Sequence, residues 1–149
     1  PNTVLLLLAR HLFKNKGKIG AIVRTVATTH LLDNFALKNG LELYETAVGF
    51  KYIGEKMRQT QVLIGGEESG GLSVIGHIPE KDGVLADMLV AEAIAYEGKP
   101  LSQLAEEAIA EAGGPLYNQR LDLHLDDAHK AAVIDSFTKN PPSEIAGIK

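Results

Sequence analysis

The chain of 149 residues contains no cysteine, which excludes a disulfide frame and a thiolate site and fits a reducing compartment such as the cytoplasm. It has no excess of positive charge, since 15 Lys and Arg stand against 19 Asp and Glu for a formal net charge of −4. Nucleic acid and anionic membrane both select for clustered Lys and Arg, so neither is an expected partner, and an anionic ligand would need positive charge supplied locally. Val4 to Ala9 is apolar but too short to span a bilayer, and no signal-peptide pattern surrounds it. Metal-ligating patterns are missing too. His11, His30, His77, His124 and His129 show no HExxH or paired spacing, and no Asp-x-Asp cluster occurs, so no bound metal is expected. There is no internal repeat and no low-complexity stretch.

What is present is an ordinary globular composition, 45% hydrophobic and 23% charged, with one unusual loop. Gly65-Gly66-Glu67-Glu68-Ser69-Gly70-Gly71 lies between two strand-like runs, Val62–Ile64 and Leu72–Ile75. Two glycines on each side free the backbone and allow close approach, while two carboxylates and a hydroxyl sit between them. A carboxylate accepts from two adjacent hydroxyls at once, so the loop suits a polyol. Phosphate is disfavoured: the Walker pattern needs a Lys and a Ser or Thr after its last glycine, and the dinucleotide fingerprint needs another glycine spacing followed by a helix. On local composition alone, an acidic hairpin turn without a ligand is an equal reading.

Helix and strand patterns alternate along the chain, as in an α/β domain. Helices are expected at residues 3–15, 29–38, 49–59, 83–96 and 101–112, and strands at 21–25, 42–45 and 62–64, with 72–75 returning antiparallel to the last of these. Asn2 is placed to cap the first helix, and Lys16-Gly17-Lys18 and Asn39-Gly40 to stop the first two. Gly113-Gly114-Pro115 is the strongest breaker and marks a boundary. Beyond it, Leu116, Leu121, Leu123 and Leu125 give a strand-like alternation, a helix follows from Asp126 to Thr138, and a further strand begins near Lys149.

Four blocks occur in a characteristic order: Thr28-Thr29-His30-Leu31-Leu32-Asp33, the stretch Tyr44 to Ile53, the glycine-rich loop, and Gly76-His77-Ile78-Pro79-Glu80-Lys81-Asp82-Gly83. Together they resemble the third domain of the α-D-phosphohexomutases, the phosphoglucomutase and phosphomannomutase family, over roughly residues 2 to 114. The resemblance implies a mixed β-sheet layered with helices. Residues 1–114 would be the sugar-binding third domain, and residues 115–149 a linker and the truncated start of the fourth, phosphate-binding α+β domain. The activity it implies is interconversion of hexose 1-phosphate and hexose 6-phosphate through a bisphosphorylated sugar. Mg2+ and hexose 1,6-bisphosphate would serve the full-length enzyme, with the magnesium loop and the phosphoserine upstream of Pro1. This chain alone would then be inactive, and its partners would be the hexose phosphate and the first, second and fourth domains.

Residue by residue, the resemblance assigns Glu67 and Ser69 to the sugar 3- and 4-hydroxyls and leaves Glu68 pointing away. Lys51, at a strand-to-helix turn opened by Gly49, would stabilise charge or move a proton beside the reacting phosphate. Thr28 would line the sugar site, and His77 and Lys81 would bring positive charge to the phosphate, although Pro79 stands where some members carry a basic residue. Thr29 has the ordinary role of a helix cap, and His30, without an evident partner, that of a surface or structural residue. Two other readings use the same residues: a stand-alone sugar-phosphate binding module, and an assembly domain whose loop is only a turn.

Overall fold

The computed structural model describes residues 1–117 and 124–144. The chain divides into two compact units, Pro1–Leu116 and Tyr117–Lys149, just beyond the Gly113-Gly114-Pro115 breaker.

The first unit is built on a four-stranded mixed sheet in the order β2-β1-β3-β4, made of β1 (Ala21–Thr25), β2 (Leu43–Thr46), β3 (Val62–Gly66) and β4 (Leu72–Val74). β1 runs parallel to β2 and to β3, and β4 returns antiparallel to β3. Every residue of β1 and β3 is buried, as expected of parallel strands covered on both faces. One face carries α1 (Asn2–Arg10), α2 (Leu31–Asn39), α4 (Gly83–Glu97) and α5 (Leu101–Glu111) over a core that includes Leu6, Leu8, Ile22, Leu32, Phe35, Ile64 and Leu104. The other face carries, among the described residues, α3 alone (Phe50–Gln59), whose Phe50 and Ile53 pack on Val23 and Val62. The layers are thus unequal, and α1, with Leu5 to Arg10 all buried, is wrapped by protein instead of floating on a surface.

The elements begin and end close to the sequence expectation, with four informative differences. α1 stops at Arg10 and continues as one π-helical turn, His11–Asn15, where the His11 ring is held between the side chains of Asn15 and Glu92. Asn2 does not cap α1; its Oδ1 accepts from the Thr29 amide at 3.3 Å and ties the start of α1 to the β1–α2 connection. α2 begins at Leu31 instead of Thr29, with the Thr29 hydroxyl accepting from the Leu31 amide. β3 runs on through Gly65 and Gly66, which stay in register with Ser73 and Leu72. Those two glycines answer packing instead of turning: a Cβ at Gly65 would lie 2.5 Å from Ile53 Cγ2, and one at Gly66 2.5 Å from Leu5 Cδ1. Each face of the sheet therefore excludes any side chain just before the loop.

In the second unit, α6 (Asp127–Lys139) starts at Asp126, whose Oδ1 accepts from the His129 amide at 2.9 Å. The strand expected across Leu121 and Leu123, and the one near Lys149, fall outside the described residues.

Candidate functional site

Three connections leave the carboxyl ends of the parallel strands: Val26–His30 after β1, Ala47–Gly49 after β2 and Glu67–Gly71 after β3. β1 feeds α2 on one face and β2 feeds α3 on the other, so neighbouring strands send their chains to opposite sides. Such divergence opens a crevice at the strand ends where α/β sheets bind ligands. The sequence blocks centred on Thr28, Gly49 and Glu67 all arrive at this edge.

The loop between β3 and β4 is a closed hairpin tip. The Glu67 amide donates to the Gly71 carbonyl at 2.9 Å, and the Gly70 amide to the Glu67 carbonyl at 3.0 Å. Gly70, with φ +103°, takes a backbone that side chains resist. Ser69 is exposed at the tip, whereas Glu67 is only 9% exposed. Glu67 Oε1 accepts from the Gly49 amide at 3.1 Å, so the loop and the β2–α3 turn, 18 residues apart, are joined by a charge-assisted hydrogen bond. Gly49 precedes α3 with φ +128°, a conformation that favours glycine, and its amide belongs to the positive end of that helix. The two free acceptor oxygens read from the sequence are therefore reduced: one Glu67 oxygen is already held.

Lys51 stands exposed in the first turn of α3, its ammonium 4.8 Å from the Tyr52 ring centroid. Lys81 reaches the same region from the far side of the hairpin. Its Nζ lies 5.5 Å from the Phe50 ring centroid and 3.8 Å from Glu80 Oε1, and its stem covers Gly71, where a Cβ would come within 2.9 Å of Lys81 Cδ. His77 sits elsewhere, lining a small cavity with Met57, Thr60 and Val62, its Nε2 3.2 Å from Asp82 Oδ2 but off the hydrogen-bonding direction. Asp82 caps α4 by accepting from the Leu85 amide, and that bond, with His77 adding to it, holds the carboxyl below its ordinary range. Any positive charge His77 carries is thus already faced by a carboxylate.

Thr28 is 2% exposed, and its hydroxyl faces the Thr25 hydroxyl at 2.9 Å and the Gly66 carbonyl at 3.5 Å, so it serves the protein's own hydrogen bonds. Glu68 does not simply point away: Oε2 accepts from the Thr25 hydroxyl at 3.3 Å. The two carboxylates consequently tie the loop down at two points, Glu67 at the β2–α3 turn and Glu68 at the end of β1. Glu67 and Gly70 also border a cavity of about 480 Å3 whose other walls, including Val4, Leu5, Leu72 and Val90, are mainly apolar.

Sequence reasoning missed Arg24. Its guanidinium is 2% exposed and satisfies all five N–H donors: Nε and Nη2 to the two Asp33 oxygens at 2.6 Å each, Nη1 to Glu45 Oε2 at 2.8 Å and the Thr25 carbonyl at 3.1 Å, and Nη2 to His30 Nδ1 at 2.9 Å. His30 therefore has a partner after all. Burial alone would raise Asp33, but the Arg24 hydrogen bonds outweigh it and hold the carboxyl below its usual range. The signal available was a lone arginine inside the apolar strand Ala21–Thr25, with an aspartate in the helix that follows.

Fold and site together define an α/β domain with its polar loops gathered at the carboxyl edge of a mixed sheet. Residues 1–112 match the profile of the phosphoglucomutase/phosphomannomutase α/β/α domain III, and the chain belongs to that family. It is 35% identical over 106 residues to a phosphoglucosamine mutase of Carboxydothermus hydrogenoformans, covering 70% of this chain and 24% of that protein. A phosphoglucomutase/phosphomannomutase of Thermococcus kodakarensis is 32% identical over 115 residues, covering 76% and 24% respectively. A crystal structure described as a phosphomannomutase from Thermus thermophilus superposes with a TM-score of 0.73 at 41% identity, over 76% of this chain and 26% of that one. The chain spans about a quarter of the length of the curated relatives it matches.

Proposed function

We propose that this chain supplies the sugar-reading part of a phosphohexomutase, an enzyme that interconverts hexose 1-phosphate and hexose 6-phosphate through a bisphosphorylated sugar. The carrying observation is the Glu67 to Gly49 hydrogen bond, which joins the two polar segments at one edge of the sheet. A bisphosphorylated intermediate has to bind in two opposed orientations, and the 3- and 4-hydroxyls hold similar places in both. A short loop that reads only those hydroxyls serves both half-reactions. Glu67, with one oxygen fixed by Gly49, keeps Oε2 for a hydroxyl, and Ser69 presents its own hydroxyl at the exposed tip. The relatives are named for glucosamine, glucose and mannose, which differ at carbon 2 and agree at carbons 3 and 4. A loop directed at positions 3 and 4 fits that shared part.

Lys51, over the Tyr52 ring, and Lys81, over the Phe50 ring, stand at the start of α3, and their charge suits the phosphate end of the substrate, with Lys51 beside the reacting group. A cation there acts mainly in the transition state, where phosphoryl charge is redistributed. Mg2+ and the phosphoserine are assigned to the first two domains of a full-length, cytoplasmic enzyme, and binding of the phosphate to its fourth domain.

The test is Glu67→Gln in the full-length protein. Gln keeps the size but loses charge and one strong acceptor, so kcat/KM for hexose phosphate should fall by about 1.5–3 kcal/mol, one to two decades, in both directions. A folded variant with unaltered kcat/KM, or one hurt less than Glu68→Gln, would overturn the assignment of this carboxylate.

A further inference from the structure

Two buried threonines lie directly beneath the loop. Thr25 ends β1 and is 0% exposed; Thr28 is 2% exposed. Their two hydroxyl protons face three contacts, and acceptor charge and distance assign them. Thr25 Oγ1 donates to Glu68 Oε2, an oxygen that only accepts when ionised, and this uses its single proton. Thr28 then gives its proton to Thr25 at 2.9 Å, a much shorter contact than the 3.5 Å to the Gly66 carbonyl, which is the one left without a full hydrogen bond. The result is a directed chain, Thr28 to Thr25 to the Glu68 carboxylate, in which each bond polarises the next. Its foot is immobile: the Thr25 carbonyl accepts from Arg24 Nη1, and the Arg24 fork is bound on its remaining sides by Asp33, Glu45 and His30. Its head is the loop residue next to Glu67.

We propose that Thr25 is a positioning residue for the sugar loop, acting through Glu68, with Arg24 fixing it in place; the proposal rests on the sugar-reading role argued above. Glu67 is held from one side by Gly49 and cannot by itself set the height of the tip above the strand ends. Glu68, drawn toward Thr25, supplies the second point. A hairpin tip held at two points presents Glu67 Oε2 and Ser69 in one arrangement, which lowers the ordering cost of binding.

The experiment replaces the hydroxyl by a methyl of the same shape, Thr25→Val, in the full-length protein, beside Thr25→Ser, which restores the donor, and Glu68→Ala, which removes the acceptor from a half-exposed position where folding is not at stake. Hydrogen exchange of the Glu67 and Gly70 amides, which close the hairpin, is followed without ligand, and KM and kcat for hexose phosphate are measured alongside. The expected result is faster exchange at both amides and a KM raised about tenfold with a smaller change in kcat in Thr25→Val and Glu68→Ala, and recovery of both readouts in Thr25→Ser. Unchanged loop exchange in Thr25→Val and Glu68→Ala overturns the positioning role whatever the kinetics show. Faster exchange with an unaltered KM shows that the chain of hydroxyls holds the loop but overturns the loop's part in sugar binding, and with it the functional half of the proposal.

Discussion

Arg10 and Arg24 are both buried and both ringed by carboxylates, yet they are held in different ways. Arg10, at the end of α1, makes one hydrogen bond, from Nη1 to Glu97, while Nε lies 3.2 Å from Glu111 without a bond along its N–H direction and Nη2 is 3.6 Å from Glu107. Arg24 spends all five donors, two of them in a bidentate fork on Asp33. The first residue meets a need for charge, since it gathers acidic side chains from α4 and α5 in the helical layer. The second meets a need for shape. Its partners come from β1, β2, α2 and the connection between them, the elements whose ends carry the candidate site. Two similar side chains therefore teach that burial and charge count say less about function than the direction of each donor.

Truncation gives the largest effect. Arg24→Ala and Arg10→Ala each leave carboxylates facing a void once filled by a cation, and each should cost about 2–4 kcal/mol of stability, the lower part of the range for broken buried pairs because the acidic partners remain partly hydrated. Stability alone does not separate the two. The separation lies in KM for hexose phosphate, which should rise in Arg24→Ala and stay unchanged in Arg10→Ala, measured at a temperature where thermal melts show both folded. Equal KM changes would erase the distinction.

The sequence made the frame legible and this cluster invisible for one reason. Alternating apolar runs, Gly40 at a helix end and the Leu72–Val74 return are local signals, and the structure follows them. The loop was found because its glycines and carboxylates are contiguous. The Arg24 fork draws on residues up to 21 positions away, and the Glu67 to Gly49 bond on residues 18 apart, so neither has a local pattern. The leading glycines of the loop were noticed for freedom of backbone, whereas Ile53 and Leu5 pressing on either face explain Gly65 and Gly66. His77, close in sequence to the loop, stands 3.2 Å from Asp82 in space.

Acid should discriminate the clusters next, with a smaller effect. Burial would raise Glu97 and Glu111, but hydrogen bonds from Asn15 and Arg10 to the first, and the Lys14 hydrogen bond with the nearby Arg10 charge on the second, outweigh it; the Lys99 hydrogen bond lowers Glu107. On the Arg24 side, Asp33 is held low. A carboxyl whose folded value is depressed contributes stability that is present above its unfolded value, about 4, and is lost as pH falls through the folded value. Urea unfolding midpoints should therefore decline below about pH 4.5, and the decline should flatten more in Arg10→Met than in Arg24→Met if the smaller contributions Arg10 makes to three carboxyls add up to more than the leading contribution Arg24 makes to one. A steeper loss of acid sensitivity in Arg24→Met would reverse the assignment of charge to one site and shape to the other.

The smallest change is the sharpest. Lysine keeps the positive charge and most of the stem but offers three donors from one point, where arginine offers five in a plane. At position 10, an ammonium can still sit among Glu97, Glu107 and Glu111, whose contacts with the guanidinium are mostly ionic in kind, so Arg10→Lys should cost under about 1 kcal/mol. At position 24, an ammonium placed on Asp33 releases the exposed Glu45 and His30 to water but leaves the carbonyl of fully buried Thr25 without its donor, which costs about 1–3 kcal/mol. Arg24→Lys should accordingly lower the melting temperature more than Arg10→Lys and, unlike it, raise KM, because the Thr25 carbonyl at the foot of the loop's support is among the acceptors released. Thermal melts and steady-state kinetics on the two variants decide the point: if lysine is accepted equally well at both positions, then charge suffices at the strand ends as well, and the fork geometry of Arg24 has no part in shaping the site.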